Sequence, residues 1–194
     1  MEPNFDSVIK ALLLSVFIGF GIVVPILSGA RSSNLKTIEF KNLFILTAVQ
    51  LVRISGILYF VLWLLDLYKN YAQYDTNKPG VDYTLFGPLW LVFWMPPILY
   101  FLLSQVLWFK KIYTRKVALI TFSILLFILP FQKLWIIISG LFNEYHRLTE
   151  PSPAFTVIAG VALNIIIFTF LVITLILMSG KLKDKNTMKN NKRR

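Results

Sequence analysis

The chain has 194 residues, no cysteine, one histidine and a formal net charge of +11, with 57% hydrophobic and only 15% charged residues. The missing cysteine excludes disulfides, thiolate-bound zinc and thiol chemistry, and His146 alone cannot build a haem or metal centre. The apolar residues fall into uninterrupted runs, which a soluble domain of this size could not tolerate.

Five runs, 8–28, 43–66, 87–109, 117–141 and 155–179, reach the roughly 20 helical residues that cross a hydrocarbon layer about 30 Å thick. Lipid offers no partner to a peptide group, and strand-like alternation is absent, so the runs are predicted to be helices. The expected fold class is an all-α, polytopic integral membrane protein with five transmembrane helices. One transmembrane domain is expected over residues 1–180, followed by a basic, disordered tail over 181–194.

The first run ends in "LSGA", small residues of the kind that precede signal cleavage. Its leader, "MEPNFDSVIK", is net acidic and the positive residues follow the run, opposite to a secretory signal. A retained helix is expected. Ser15 and Gly19 have the small-xxx-small spacing that lets helices approach closely.

The second run holds Arg53, in "AVQLVRISGIL", about ten residues from its start and therefore near mid-depth at about 1.5 Å per residue. A central Arg costs roughly 2.5–3.5 kcal/mol on insertion scales, so an idle cation there is not expected. No Asp or Glu lies well inside any run. Arg53 is left with neutral acceptors (freed carbonyls, Tyr100, Asn164), a partner subunit's carboxylate, or an anionic ligand.

A long connection, "YKNYAQYDTNKPGVDYTLFGP", reads as an aromatic belt with polar punctuation. The third run contains Pro96 and Pro97, and the fourth contains Pro130. Each lacks an N–H and is expected to kink its helix, freeing the carbonyls of Val92, Phe93 and Leu126. In "FILPFQKLWIII" the fourth run also carries Gln132 and Lys133. Lys133 lies in the outer half, where its stem can snorkel to the interface or reach Asp66 or Glu144.

Fourteen of the twenty Lys and Arg residues fall in the first loop, the third loop "KKIYTRK" and the tail. The intervening segments carry few cations and most of the acids. The positive-inside rule then places the N-terminus outside and the C-terminus in the cytoplasm. The tail is expected to lie against anionic lipid rather than nucleic acid. There is no glycine-rich phosphate loop and no carboxylate pair in a run, so no recognised catalytic constellation is present.

"LFGPLWLVFWMPPILYFLLSQVLWFKKIYTRKVALI" and "LPFQKLWIIISGLFNEY" resemble the NrfD/polysulfide-reductase membrane subunits, above all those of alternative complex III. Trp90, Trp94, Pro96, Trp108, Phe109, Lys110 and Lys111 match that group's tryptophan-rich, proline-bearing crossing with its "WFKK"-like exit. The resemblance spans residues 10–180 but corresponds to the C-terminal half of a full-length member. Such members help bind a quinol beside iron–sulfur or haem subunits. Where that group has a Glu–Arg pair, this chain has Gln132 and Lys133. Glutamine cannot take a quinol proton as a general base.

The resemblance therefore implies a non-catalytic, NrfD-like subunit of a respiratory quinol-oxidising complex in a bacterial cytoplasmic membrane. Its partners would be lipids and other integral membrane subunits, and a quinone its one implied cofactor. Arg53, Trp90, Tyr100, Gln132 and Lys133 are the residues expected to contact ligand or partner. The competing readings are a small-molecule binding or transport protein and a structural anchor that recruits a cytoplasmic partner.

Overall fold

The structure, a computed structural model, describes residues 5–72, 90–128 and 153–180. Among these residues the elements are helices: α1 (Phe5–Gly29), α2 (Leu35–Ala72), α3 (Trp90–Val106), α4 (Lys110–Thr114), α5 (Lys116–Ile128) and α6 (Pro153–Met178). Three of them are long and apolar enough to cross a membrane, over Val8–Gly29, Leu35–Lys69 and Ile158–Met178. The long second connection, the Gln132–Lys133 stretch and the basic tail lie outside the described residues.

Helices α2 and α3 differ from the hydropathy reading, and α2 runs on to Ala72, six residues past its apolar run. The second helix starts at Leu35, not near residue 43. Asn34 is its N-cap: Lys36 N donates to Asn34 Oδ1 at 3.1 Å, and Ile38 N donates to Asn34 O at 3.1 Å. Hydropathy marks residues suited to lipid, whereas the cap marks where the backbone turns helical. The 38 residues of α2 extend about 57 Å, well beyond a hydrocarbon layer of about 30 Å. The third helix continues through Pro96 and Pro97 but stops at Val106, three residues before its apolar run ends.

α1 lies at the centre, packed against α2, α5 and α6, while α2 also carries α3. Phe17, Phe20 and Val24 of α1 meet Val49 and Val52 of α2, Tyr100 of α3, Leu126 of α5 and Phe168 of α6 in one buried cluster. Contact pairs fix the directions. Asp6 meets Lys69 and Ser28 O meets Lys41, so α1 and α2 are antiparallel. Phe60 stacks on Phe101 at 4.7 Å and Trp63 meets Trp94 at 5.0 Å, so α2 and α3 are antiparallel. Ser15 pairs with Asn164 and Gly19 with Phe168, so α1 and α6 are parallel.

Close approach rests on small residues, as the Ser15–Gly19 spacing predicts. A Cβ on Gly19 would collide with the Phe168 side chain, and one on Gly56 with Ser104 of α3. In lipid the tails are as apolar as leucine, so helices gain by packing and hydrogen bonding rather than by leaving water. Ser15 Oγ donates to Asn164 Oδ1 at 2.7 Å, sharing its one proton with Ala11 O at 2.9 Å.

The outside of the bundle is as apolar as its core. On α6, Leu163, Ile166, Phe170 and Leu177 are each more than half exposed, at 57%, 64%, 68% and 65%. Contiguous exposure on this scale suits a lipid contact surface and not water. Apart from Arg53, the described charges segregate to the ends. One end carries Asp6, Lys10, Asp66 and Lys69, with Lys10 paired to Asp66. The other carries Arg31, Lys36, Lys41, Lys110, Lys111, Arg115 and Lys116 against Glu39.

Candidate functional site at the Arg53 helix break

Arg53 lies on α2, 12 residues from Lys41 and 13 from Asp66, so about 18–20 Å of helix separates it from either charged end. It faces the place where α3 gives out. There Trp108 N donates to Gln105 O at 2.9 Å and Phe109 N to Val106 O at 3.2 Å, the tight bonds of a closing turn. Phe109 is extended (φ −73°, ψ 115°), as is Arg115 (φ −86°, ψ 115°), and the short α4 runs between them.

A helix that ends inside a bundle leaves carbonyls without intrahelical partners. Arg53 Nη2 donates to one of them, Leu107 O. The guanidinium also lies 5.0 Å from the Trp108 ring centre and 4.9 Å from that of Tyr113. Gln105 Nε2 reaches back to the Arg53 carbonyl at 3.5 Å and to Ser104 Oγ at 3.1 Å. Arg53 Nε is buried without a hydrogen-bond partner.

The cation is thus held by a helix C-terminus, where the macrodipole is negative, and by two aromatic faces. Of the alternatives open from sequence, the structure supplies the neutral carbonyl. It is a carbonyl freed by a helix end, not by a proline. Asn164 serves Ser15 instead. Lys41 repeats the device one level down: its Nζ donates to Ala30 O at 2.8 Å and Ser28 O at 3.4 Å, at the end of α1. α2 therefore supplies cations to the C-terminal ends of both α1 and α3.

Tyr100 is 1% exposed, two turns along α3 from the break. Its ring stacks on Phe17 at 4.6 Å and meets Tyr59 edge-on at 5.5 Å, and its hydroxyl has no hydrogen-bond partner. Arg53 and Tyr100 share the α2–α3 interface but not their contacts. Trp90 is the first residue of α3, at the end away from Arg53. Gln132 and Lys133 lie outside the described residues.

Tyr113 and the Leu107 carbonyl are absent from the sequence expectations, and Trp108 enters there only through the resemblance. The aromatic and basic residues of "WFKKIYT" were the available signal. No glycine or proline marks the break, so hydropathy ran through it.

At the opposite end, Lys69 Nζ donates to Asp6 Oδ2 at 2.7 Å. That hydrogen bond and the lysine charge hold the Asp6 carboxyl below its ordinary value of 3.8. Among the described residues no group of three His, Cys, Asp or Glu side chains could hold a metal ion.

The fold and surface define a membrane-embedded, all-helical protein. No protein-family profile, curated protein or solved structure matches the chain.

Proposed function

We propose that the chain is a non-catalytic subunit of a respiratory quinol-oxidising complex, NrfD-like in its third and fourth crossings. In this reading it crosses a bacterial cytoplasmic membrane five times, with the C-terminus in the cytoplasm. The alternating helix directions and the cationic end support that topology. The family reading rests on the tryptophan- and proline-rich α3 and its "WFKK" exit.

The observation that carries the non-catalytic part is Arg53. A cation deep in a bundle is by default a functional group, yet this one is occupied by Leu107 O, Trp108 and Tyr113. The described acids, Asp6, Glu39 and Asp66, stand toward helix ends and away from it. That arrangement supports a scaffolding role over proton transfer.

Purification from native membranes in mild detergent, followed by mass spectrometry, tests the reading. Other respiratory subunits should be recovered in stoichiometric amounts. A chain that purifies alone and stays folded contradicts it.

A further inference from the structure

We propose that the basic end of the bundle holds one anionic phospholipid, in the space left where α3 stops short along α2. α1 ends at the level of Lys41 and α3 at the level of Arg53, a stagger of 12 residues of α2, or about 18 Å. The chain fills part of that gap with α4. The remainder is a cavity of about 340 Å³ between α2, the end of α1 and the α4–α5 turn. That is the low end of the roughly 300–1,000 Å³ range of small-molecule sites, room for a headgroup while the acyl chains run outside.

Its walls are graded. Lys41, Asn42, Tyr113 and Lys116 line it together with Ile45 and Leu119, and the lining has no carboxylate. Ile45 lies one helical turn from Lys41, so the change from charged to apolar runs along α2 toward the middle of the bundle. A phospholipid has the same order from phosphate to acyl chain.

The polar groups are positioned in advance. Lys41 spends two ammonium donors on Ala30 O and Ser28 O, at 2.8 and 3.4 Å, and an ammonium has three. Tyr113 is steadied by the Arg53 guanidinium 4.9 Å from its ring centre. Lys110, Lys111 and Arg115 lie on the same short segment as Tyr113 and Lys116 and add positive charge there without lining the cavity. Basic pockets between helices on the positive side of a membrane protein select anionic headgroups in this manner. Inorganic phosphate would satisfy the lysines but leave Ile45 and Leu119 unused.

The inference rests on membrane embedding and not on any partner's identity. The test uses the full chain, purified with whatever accompanies it and exchanged into lipid-poor detergent. Native mass spectrometry then measures binding of phosphatidylglycerol, of phosphatidylcholine with the same chains, and competition by inorganic phosphate. One phosphatidylglycerol should bind in preference to phosphatidylcholine, phosphate should compete poorly, and Lys116→Gln should weaken binding about fivefold. Lys41→Gln should weaken it too, but Lys41 also holds the end of α1, so the exposed Lys116 is the decisive position. Lys111→Gln, outside the lining, should weaken binding much less than Lys116→Gln. Equal retention of phosphatidylcholine, phosphate competing as well as lipid, or equal losses in Lys111→Gln and Lys116→Gln would each overturn the proposal.

Discussion

Arg53 of α2 donates its Nη2 hydrogen to the main-chain carbonyl of Leu107, one residue past the end of α3. A side chain from one helix thus completes the hydrogen bonding of another at the point where the second breaks. Trp108, within the break, and Tyr113, on α4 beyond it, close over the same guanidinium.

Arg53→Leu removes the donor and both cation–π contacts and leaves the Leu107 carbonyl unpaired. The expected loss is about 2 kcal/mol of unfolding free energy, the scale of one hydrogen bond from a charged donor. Arg53→Lys should recover only part of it, because an ammonium lacks the planar fork that bonds and stacks together. Unfolding in mixed micelles, followed by tryptophan fluorescence, measures both. An unchanged midpoint for Arg53→Leu would show that the carbonyl does not need the guanidinium.

Gly19→Ala and Gly56→Ala drive a methyl group into Phe168 and Ser104 respectively. Each should destabilise by about 1–3 kcal/mol, the usual cost of overpacking. Gly160 has open space around it, so Gly160→Ala should be neutral or stabilising, since alanine is the better helix former. Equal losses at all three positions would mean that close approach is not the cause.

Ser15 and Asn164 form a hydrogen bond between α1 and α6. A double-mutant cycle with Ser15→Ala and Asn164→Ala should give a coupling of about 0.6 kcal/mol, the average for such bonds in membrane proteins. Ser15 has Ala11 O as a second acceptor, which keeps the coupling small. Strictly additive single mutants would remove the interaction from the account of α1–α6 packing.

Asp6 links stability to pH. Lys69 holds its carboxyl below the ordinary 3.8 in the folded chain, so the unfolded chain binds this proton more readily. The stabilisation is complete well above pH 3.8 and is lost as pH falls through the lowered folded value. The melting temperature of Asp6→Asn should lie below that of the parent at neutral pH and converge with it in acid. Added salt should narrow the neutral-pH gap, because the pair is exposed. A gap that persists in strong acid would assign the effect to something other than charge.

Much of this protein was legible because lipid imposes a simple requirement. Peptide groups without water must bond within their own segment, so long apolar runs read directly as helices; α1 and α6 follow them closely and α2 contains its run whole. The cation clusters, the Ser15–Gly19 contact face and the need of Arg53 for a partner could also be read, since each depends on residue type and spacing. Which acceptor Arg53 takes was a matter of three-dimensional register. Leu107 O is offered only because α3 ends there, and no local residue encodes that end. It is set by α2 lying antiparallel with Arg53 at that height and with Trp108 and Tyr113 able to close over it. The Lys41 contact with α1 and the cavity beside it have the same origin, whereas the Asn34 cap that starts α2 early is local, a bond two residues long. Composition and periodicity determined the helices and their medium; the stagger of helix ends along α2, a property of packing alone, decided where the polar groups meet.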